Sequence, residues 1–399
     1  MKDAFFQSCE SLIGADHVDA TADPPVLCPP SVEFAAELVR WCHEAGRGIR
    51  ILGGGTCPSA DDPALVPVST RLLDAVMEIN REDYLVIVQA GVVVDEVVSH
   101  AEASRLYLTV FLPDGDVATI GGTYISGAFV SGTASDGTVA KSVIGVKAIS
   151  AQGELVTFGG KTVKNVTGFE TVRFLAGTRG LYAIAVELII KTLPMPEYRT
   201  IMTATAAPGS AAGLLNLHGG GTPGAARMTV LAPDGLGGEV VAGFQFEGFR
   251  DIINRALGVL DQRLSDIFGV SVKADDDARF TDRHRALART MAVPDTYTVT
   301  VPPAAASDFL DGVMRFVPDS PLIGHIGYGR FEISGIYADN LRKLEKLALA
   351  LGGCPPTAWE DVARRGNGPL LTETERALAV SLKRELDPKG ILNPHLQLS

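Results

Sequence analysis

Three things are scarce in this 399-residue chain, and each scarcity removes a class of function. Cysteine is sparse and scattered. Cys9, Cys28, Cys42, Cys57 and Cys354 form no CxxC pair and no regular spacing, so neither a disulfide framework nor an iron–sulfur cluster is expected of the chain itself. Long apolar runs are missing as well: no stretch approaches the roughly 18 residues a membrane span needs. The opening MKDAFFQSCESLIG lacks a charged segment followed by an apolar core, so direct membrane insertion is not expected. Positive charge is in deficit, with 35 Lys and Arg against 47 Asp and Glu and a formal net charge of −12. Nucleic acid and anionic lipid would both repel such a surface. A reducing cytoplasm fits, with any hold at the inner membrane supplied by partners.

Glycine, by contrast, is abundant, with 43 residues. The length allows two domains with cores of their own. The densest stretch runs over 119–197: TIGG (119–122), FGG (158–160), KNVTGFE (164–170), AGTRG (176–180), then the apolar run AIAVELII (183–190) stopped by KTLPMP. Glycine admits positive φ and close backbone approach, and bare N–H groups around it can face an anion. A flat cofactor with a pyrophosphate is the natural guest.

The proline-punctuated DPPVLCPP (23–30) predicts an extended entry, after which Ser31 is placed to cap a helix over VEFAAELVRWCHEAG. Val32, Ala35, Ala36, Val39 and Cys42 share one face and Gly46 is a C-terminal stop. GIRILGGGT reads as a strand ending in Gly53, Gly54, Gly55 and Thr56, which suit a tight turn as well as a phosphate loop. YLVIVQAG (84–91) reads as a buried strand followed by a helix over VVVDEVVSHAEASRL. In FLPDGDVATIGG, Pro113 fixes the approach, Thr119 offers a hydroxyl, and Gly121 and Gly122 allow close contact. VIGVKAISAQGELVTFGG predicts two strands turning at Gln152 and Gly153. Lys164, Asn165 and Thr167, beside Gly168, are hydrogen-bonding side chains that burial would oblige to find partners.

After Pro194-Met195-Pro196 the texture changes to strand and helix segments without cofactor spacing, which predict an antiparallel sheet backed by helices. HGGG (218–221), with no helix pattern after it, reads as a mobile linker. The last helix has a capping box from Thr372 to Glu375 and apolar positions at Leu378, Leu382 and Leu386. DPKGILNP (387–394) closes it; as a bare motif this is a helix stop, just as Ile184 alone is a core residue.

Taken together, the stretch over 121–194 and the closing motif resemble the FAD-binding domain of the vanillyl-alcohol oxidase / p-cresol methylhydroxylase (PCMH-type) superfamily. Within it the resemblance runs to the FAD-binding subunits of bacterial glycolate oxidase complexes, where a lysine, asparagine and glycine recur as in KNVTGFE. It implies an α+β fold: a PCMH-type two-subdomain FAD-binding domain over 1–196, an antiparallel-sheet-plus-helices cap or substrate domain over 197–355, and a segment over 356–399 that returns to the flavin domain. It implies cofactor contacts at Gly53, Gly54, Gly55, Thr56, Pro113, Thr119, Gly121, Gly122, Ser126, Lys164, Asn165, Thr167, Gly168, Ile184 and Asn393. Ile184 would lie against the adenine and Asn393 near the flavin ring. Thr56 stands where covalent members carry a histidine, so non-covalent FAD is expected. The chain departs from the pattern at Gly132-Thr133, where relatives carry a basic pair, and at Lys141, where they carry an acid.

Relatives that oxidise 2-hydroxy acids carry HxGDGNxH in the cap domain. The comparable stretch is His325-Ile326-Gly327-Tyr328-Gly329-Arg330-Phe331-Glu332. His325 suits a catalytic base and Arg330 a carboxylate clamp. The same residues suit a histidine ending a buried strand and an arginine paired to Glu332. One histidine and one carboxylate are too few for a metal, and none is assigned. The resemblance thus implies an FAD-dependent oxidoreductase acting on CH–OH groups: a subunit of a 2-hydroxy-acid dehydrogenase complex, passing electrons through flavin to an iron–sulfur subunit beside a sister flavoprotein. A self-sufficient FAD-dependent hydroxy-acid or alcohol oxidase or dehydrogenase, and a non-catalytic scaffold of the same fold, are the alternatives.

Overall fold

Ser31 starts the first long helix of the fold by accepting a hydrogen bond from the Phe34 N–H at 3.4 Å, and Gly46 ends it in the left-handed region at φ 64°. The computed structural model describes residues 4–56, 62, 64–108, 110–130, 138–161, 170–208, 210–211, 214, 227–267, 269–274, 277–358 and 372–396. Cys57, Gly132, Thr133, Lys164, Asn165, Thr167, Gly168 and the HGGG segment lie outside the described residues. The chain divides into two compact units, residues 1–195 with 362–399, and residues 196–361.

In the first unit, α1 (Ala4–Ile13) packs on α2 (Val32–Ala45). Besides Val32, Ala35, Ala36, Val39 and Cys42, α2 buries Leu38. The buried face is wider than one stripe because α1 covers one flank with Phe6, Cys9 and Ile13, while Ile49, Val66 and Val68 fill the other. Those last residues belong to a small sheet of β1 (Val18–Asp19), β2 (Val26–Leu27), β3 (Ile49–Leu52) and β4 (Val66–Ser69), in the order β1-β2-β4-β3, with β4 parallel to both neighbours.

A second sheet holds β5 (Val76–Asn80), β6 (Leu85–Gln89), β7 (Val143–Ile149), β8 (Leu155–Gly159) and β9 (Ile184–Lys191), all antiparallel, in the order β5-β6-β9-β7-β8. β7 and β8 form the hairpin that Gln152 and Gly153 signal, Gly153 taking φ 76°. α3 (Val94–Ala103), α4 (Ile120–Ser126) and α5 (Thr171–Leu175) lie with this sheet, whose core gathers Val86, Val88, Val97, Ile120, Tyr124 and Leu188.

The second unit is one eight-stranded antiparallel sheet. Its strands are β10 (Tyr198–Ala206), β11 (Arg227–Ala232), β12 (Val240–Gly248), β13 (Val270–Lys273), β14 (Tyr297–Thr300), β15 (Leu322–His325), β16 (Arg330–Ile333) and β17 (Thr357–Ala358). Their order is β13-β10-β12-β11-β15-β16-β14-β17. Strand residues alternate between faces. One face carries the main core, including Phe244, Phe246, Phe309, Phe331 and Leu344, with α6 (Arg250–Ser265), α8 (Ala306–Phe316) and α9 (Ala338–Ala350). The other face carries a smaller cluster, Leu231, Val241 and Ile323 against Phe280, Leu287 and Met291 around α7 (Asp277–Thr290). Gly243 lets that helix lie close: a Cβ there would press into the Phe280 ring.

The chain then returns to the first unit as α10 (Glu373–Leu386), whose capping box between Thr372 and Glu375 forms as its spacing predicts. Of the three apolar positions, Leu382 packs, half-buried, against the core of the second sheet. Leu378 is 60% exposed, Leu386 is 42% exposed, and no described residue of the helix is fully buried. Polar contacts hold it as well. Lys383 Nζ reaches Asp387 Oδ2 at 2.6 Å, the Leu181 carbonyl at 2.6 Å and the Leu392 carbonyl at 2.7 Å. The buried Asp387 carboxylate also accepts the N–H groups of Ile391 (3.0 Å) and Leu392 (2.8 Å). Beyond this knot Leu392 forms a parallel bridge to Ile49, so the chain end adds a rung to β3.

Asp387→Ala should therefore cost about 3–5 kcal/mol, because it strands a mostly buried ammonium and two N–H groups. Leu378→Ala should stay within about 0.5 kcal/mol. Urea denaturation midpoints would separate the two; equal midpoints would mean that the knot does not hold the chain end.

Candidate functional site

β3 aims its last residue at a loop, and that loop meets the start of α4. Ser69 on β4 fixes the turn by donating its hydroxyl to the Gly53 carbonyl at 3.0 Å. A Cβ on Gly53 would run into Thr119 Oγ1 and stand 3.4 Å from the Gly122 Cα. A Cβ on Gly54 would strike the Val117 carbonyl oxygen, and Gly55 takes φ +77°. Gly53, Gly54, Thr119 and Gly122 are thus brought together backbone to backbone, an approach that any side chain at 53 or 54 would block.

The two loops contribute different things. Among the described residues, the N–H groups of Gly53, Gly54, Gly55 and Thr56 donate to no protein acceptor. In the second loop the N–H groups are taken: Ile120 donates to Val92 and Gly121 to Ala90, at 2.8 and 2.9 Å, and Gly122 to Thr119 Oγ1 at 3.2 Å. The bare donors expected of TIGG are therefore not there, because α4 begins within it and Thr119 caps that helix. A Cβ on Gly121 would press on Ala90, so this glycine serves packing, whereas Gly122 faces Gly53. What the second loop can still offer a ligand is clearance and the Thr119 hydroxyl proton.

The remaining expected contacts are spread around this point. Pro113 is half-buried in the turn whose Asp114 carbonyl accepts the N–H of Ala118 at 2.7 Å. Ser126 ends α4, its hydroxyl accepting from Ala128 at 3.2 Å and facing the Thr123 carbonyl at 3.4 Å. Ile184 opens β9 within the core beside Ile49 and Ile149. Asn393 takes φ 44°; its Oδ1 accepts the Ile51 N–H at 2.7 Å and its Nδ2 donates to the Arg179 carbonyl at 2.5 Å. It pins β3 just before the first glycine loop to the turn at 179, where Arg179 itself takes φ 54°. That clasp links residues more than 200 positions apart, and spacing within the sequence could not reveal it.

In the second unit His325 ends β15, 4% exposed, and is paired across the ladders with Thr229 on β11 and Arg330 on β16. Residues directly opposite share a face. Thr229 Oγ1 lies 3.4 Å from His325 Nδ1, and the His284 ring of α7 sits 5.4 Å away, centroid to centroid. Arg330 Nη2 reaches Glu332 at 3.1 Å and Thr298 at 3.4 Å. Arg227 contacts Gln245 and lies 3.9 Å from Glu247. Burial pushes both histidines down. His284 falls to about 3, with Arg227 and Arg285 adding to the effect; His325 lies well below the usual range, with His284, Arg330 and Arg227 as further causes. Arg227, Gln245, Glu247 and His284 lie in no motif of the sequence. For Gln245 and Glu247 the signal is a polar residue alternating with buried Phe244 and Phe246 in FQFEG; Arg227 and His284 join them only through the fold.

Known proteins bear on the first unit most directly. Residues 24–159 match the FAD binding domain family. The chain carries an FAD-binding domain. The glycine cradle lies within that match, and its donors and clearances suit the pyrophosphate of FAD. Glycolate oxidase subunit GlcD of Bacillus subtilis is 26% identical over 186 residues, 45% of this chain and 39% of that subunit, so the match spans well under half of the relative. Further relatives are named D-2-hydroxyglutarate dehydrogenase and D-lactate dehydrogenase. An uncharacterized FAD-linked oxidoreductase of Mycobacterium tuberculosis, Rv2280, is 24% identical over 92% of this chain and 89% of its own length. Among solved structures, p-cresol methylhydroxylase superposes with a TM-score of 0.68 at 13% identity, covering 98% of this chain and 95% of that one. The fold is accordingly PCMH-type, with the FAD-binding domain followed by the antiparallel-sheet unit.

Gly54→Ala should lower FAD affinity at least about tenfold by steric conflict with Val117 alone. Gly54→Asp should lose more, since a like charge near the pyrophosphate costs about 4 kcal/mol at an effective dielectric of 20. Fluorescence titration of apoprotein with FAD reads both. Unchanged affinity in Gly54→Ala would remove this loop from the site.

Proposed function

We propose that the chain is the FAD-binding subunit of a 2-hydroxy-acid dehydrogenase assembly, holding FAD without a covalent bond. The observation that carries the reading is the first glycine loop, with four N–H groups that donate to no acceptor among the described residues, set against Thr119 and Gly122 inside the FAD-binding domain match. In this reading the N–H groups of Gly53, Gly54, Gly55 and Thr56 hold the pyrophosphate and the Thr119 hydroxyl adds a donor. Gly121 and Ser126 support α4, with Pro113 setting its approach. Ile184 lends backbone to the adenine, and Lys164, Asn165, Thr167 and Gly168 meet the ring edge. Asn393 holds the first loop in register. When bound, FAD supplies a two-electron acceptor.

The substrate class follows from relatives named for glycolate, D-lactate and D-2-hydroxyglutarate. His325 is assigned to the hydroxyl proton and Arg330, charge-compensated by Glu332, to the carboxylate. Onward electron transfer is assigned to an iron–sulfur subunit beside a sister flavoprotein, since the five cysteines lack cluster spacing.

Acid precipitation of the FAD-loaded chain should leave the yellow colour in the supernatant; flavin in the pellet would refute the non-covalent assignment. The isolated chain should show little turnover of glycolate or D-lactate with oxygen or dyes, and turnover should appear once the partner subunits are added. Rapid steady-state oxidation by the monodisperse chain would instead make it self-sufficient.

A further inference from the structure

The first glycine loop is flexible by composition, yet one of its peptide planes is held by a side chain. Rotating the plane between Gly53 and Gly54 changes only ψ of Gly53 and φ of Gly54, and neither residue has a Cβ to resist it. No larger residue fits at either position, since an added Cβ would strike Thr119 Oγ1 or the Val117 carbonyl oxygen. The close approach of the two loops therefore demands the very residues that leave this plane least determined by the backbone. Something outside the loop has to set it.

That group is Ser69. β3 and β4 run parallel with Leu52 paired to Ser69, so the last residue of β4 stands beside the point where β3 ends. Successive carbonyls of an extended strand point to opposite sides. Here the carbonyls of both Leu52 and Gly53 turn to β4 and the residue after it: Leu52 accepts the Thr70 N–H at 3.0 Å, and Gly53 accepts the Ser69 hydroxyl at 3.0 Å. The alternation is broken at Gly53. The hydroxyl is itself oriented, because Ser69 Oγ accepts the Arg71 N–H at 3.2 Å and so keeps its own proton for Gly53. Arg71 is tied in turn to Asp19 of β1 at 2.8 Å. Ser69 is buried, so water has little access to either bond.

In a trans peptide the N–H lies opposite the C=O. With the Gly53 carbonyl turned to Ser69, the Gly54 N–H points away from that hydroxyl, and it donates to no acceptor among the described residues. We infer that Ser69 is a positioning residue for the cofactor: by holding the Gly53 carbonyl it aims the Gly54 N–H at the pyrophosphate before FAD arrives. The inference rests on the reading of this loop as the phosphate cradle. The Arg71 N–H, the Ser69 O–H and the 53–54 peptide form one directed chain of dipoles. Each polarises the next, so the last N–H is a stronger donor to an anion than an isolated amide. Ser69 acts on the ligand only through that one peptide plane.

The test pairs FAD titration of the apoprotein with amide NMR of the full deuterated chain. In the unsubstituted protein FAD should shift the Gly54 amide proton downfield, as a hydrogen bond to phosphate does. Ser69→Ala should weaken FAD binding by about fivefold or more, since only molecules with the plane correctly turned are competent to bind. ADP, a pyrophosphate probe without flavin, should lose the same factor. The Ser69→Ala apoprotein should also show microsecond-to-millisecond relaxation dispersion confined to the amides of 53–55, where the unsubstituted apoprotein is flat.

Dispersion at Gly54 already in the unsubstituted apoprotein, or dispersion in Ser69→Ala spread evenly over β3 and β4, would overturn the inference. So would unchanged FAD affinity in Ser69→Ala alongside a shifted Gly54 amide, a result that leaves the cradle reading standing. No shift at Gly54 when FAD binds the unsubstituted protein would fail the cradle reading and the inference with it.

Discussion

The first unit depends on one close approach, that of the backbone at Gly53 and Gly54 to the backbone over 117–122. A side chain at either glycine has nowhere to go, because Val117, Thr119 and Gly122 already fill the space. Much of the nearby structure serves to keep that contact in place. β3 points into it, the Ser69 hydroxyl on β4 holds the Gly53 carbonyl, and Thr119 caps α4 from the other side. Behind it, Asn393 ties Ile51 to Arg179, and the Lys383–Asp387 knot keeps Asn393 where it is. This is how Asn393, 342 residues from Ile51 in sequence, comes to lie in the same compact unit.

The second unit poses a different physical problem, that of keeping charge in a place that could have been apolar. Arg227 lies 3.9 Å from Glu247 and Arg330 lies 3.1 Å from Glu332, while His325 sits beside Thr229 and the His284 ring. An imidazole in that position stays neutral through the physiological range because it is buried first and repelled second. Thr229 and His284 fix the ring itself. The cores around Phe244 and Leu231 hold the two faces of this sheet together with their helices.

What the sequence showed was what local rules control. The cap at Ser31, the stop at Gly46, the hairpin at Gly153 and the capping box at Thr372 are all decided within a few residues, and each forms as read. The stripe of Leu378, Leu382 and Leu386 was legible only in part: Leu382 packs on the core, Leu378 and Leu386 are exposed, and α10 is fastened as well by Lys383 and by the Tyr182 hydroxyl. Gly121 and Gly122 read alike in sequence and differ in the fold, one packing on Ala90 and the other facing Gly53. The polar cluster around His325 was only half legible. His325, Arg330 and Glu332 lie in one short motif, whereas Arg227, Glu247 and His284 join them through strand pairing and a helix crossing that no local pattern encodes.

The central claim is that the first glycine loop is the phosphate cradle, with its own N–H groups as the donors and the second loop as its wall. Backbone hydrogen exchange of the apoprotein and the FAD-loaded protein, resolved to single amides, addresses it directly. Binding should slow the amides of Gly53, Gly54, Gly55 and Thr56 most. Those of Ile120 and Gly121, already bonded to Val92 and Ala90, should change little by comparison. Strong new protection over 120–122 with the amides of 53–56 unaffected would contradict the account.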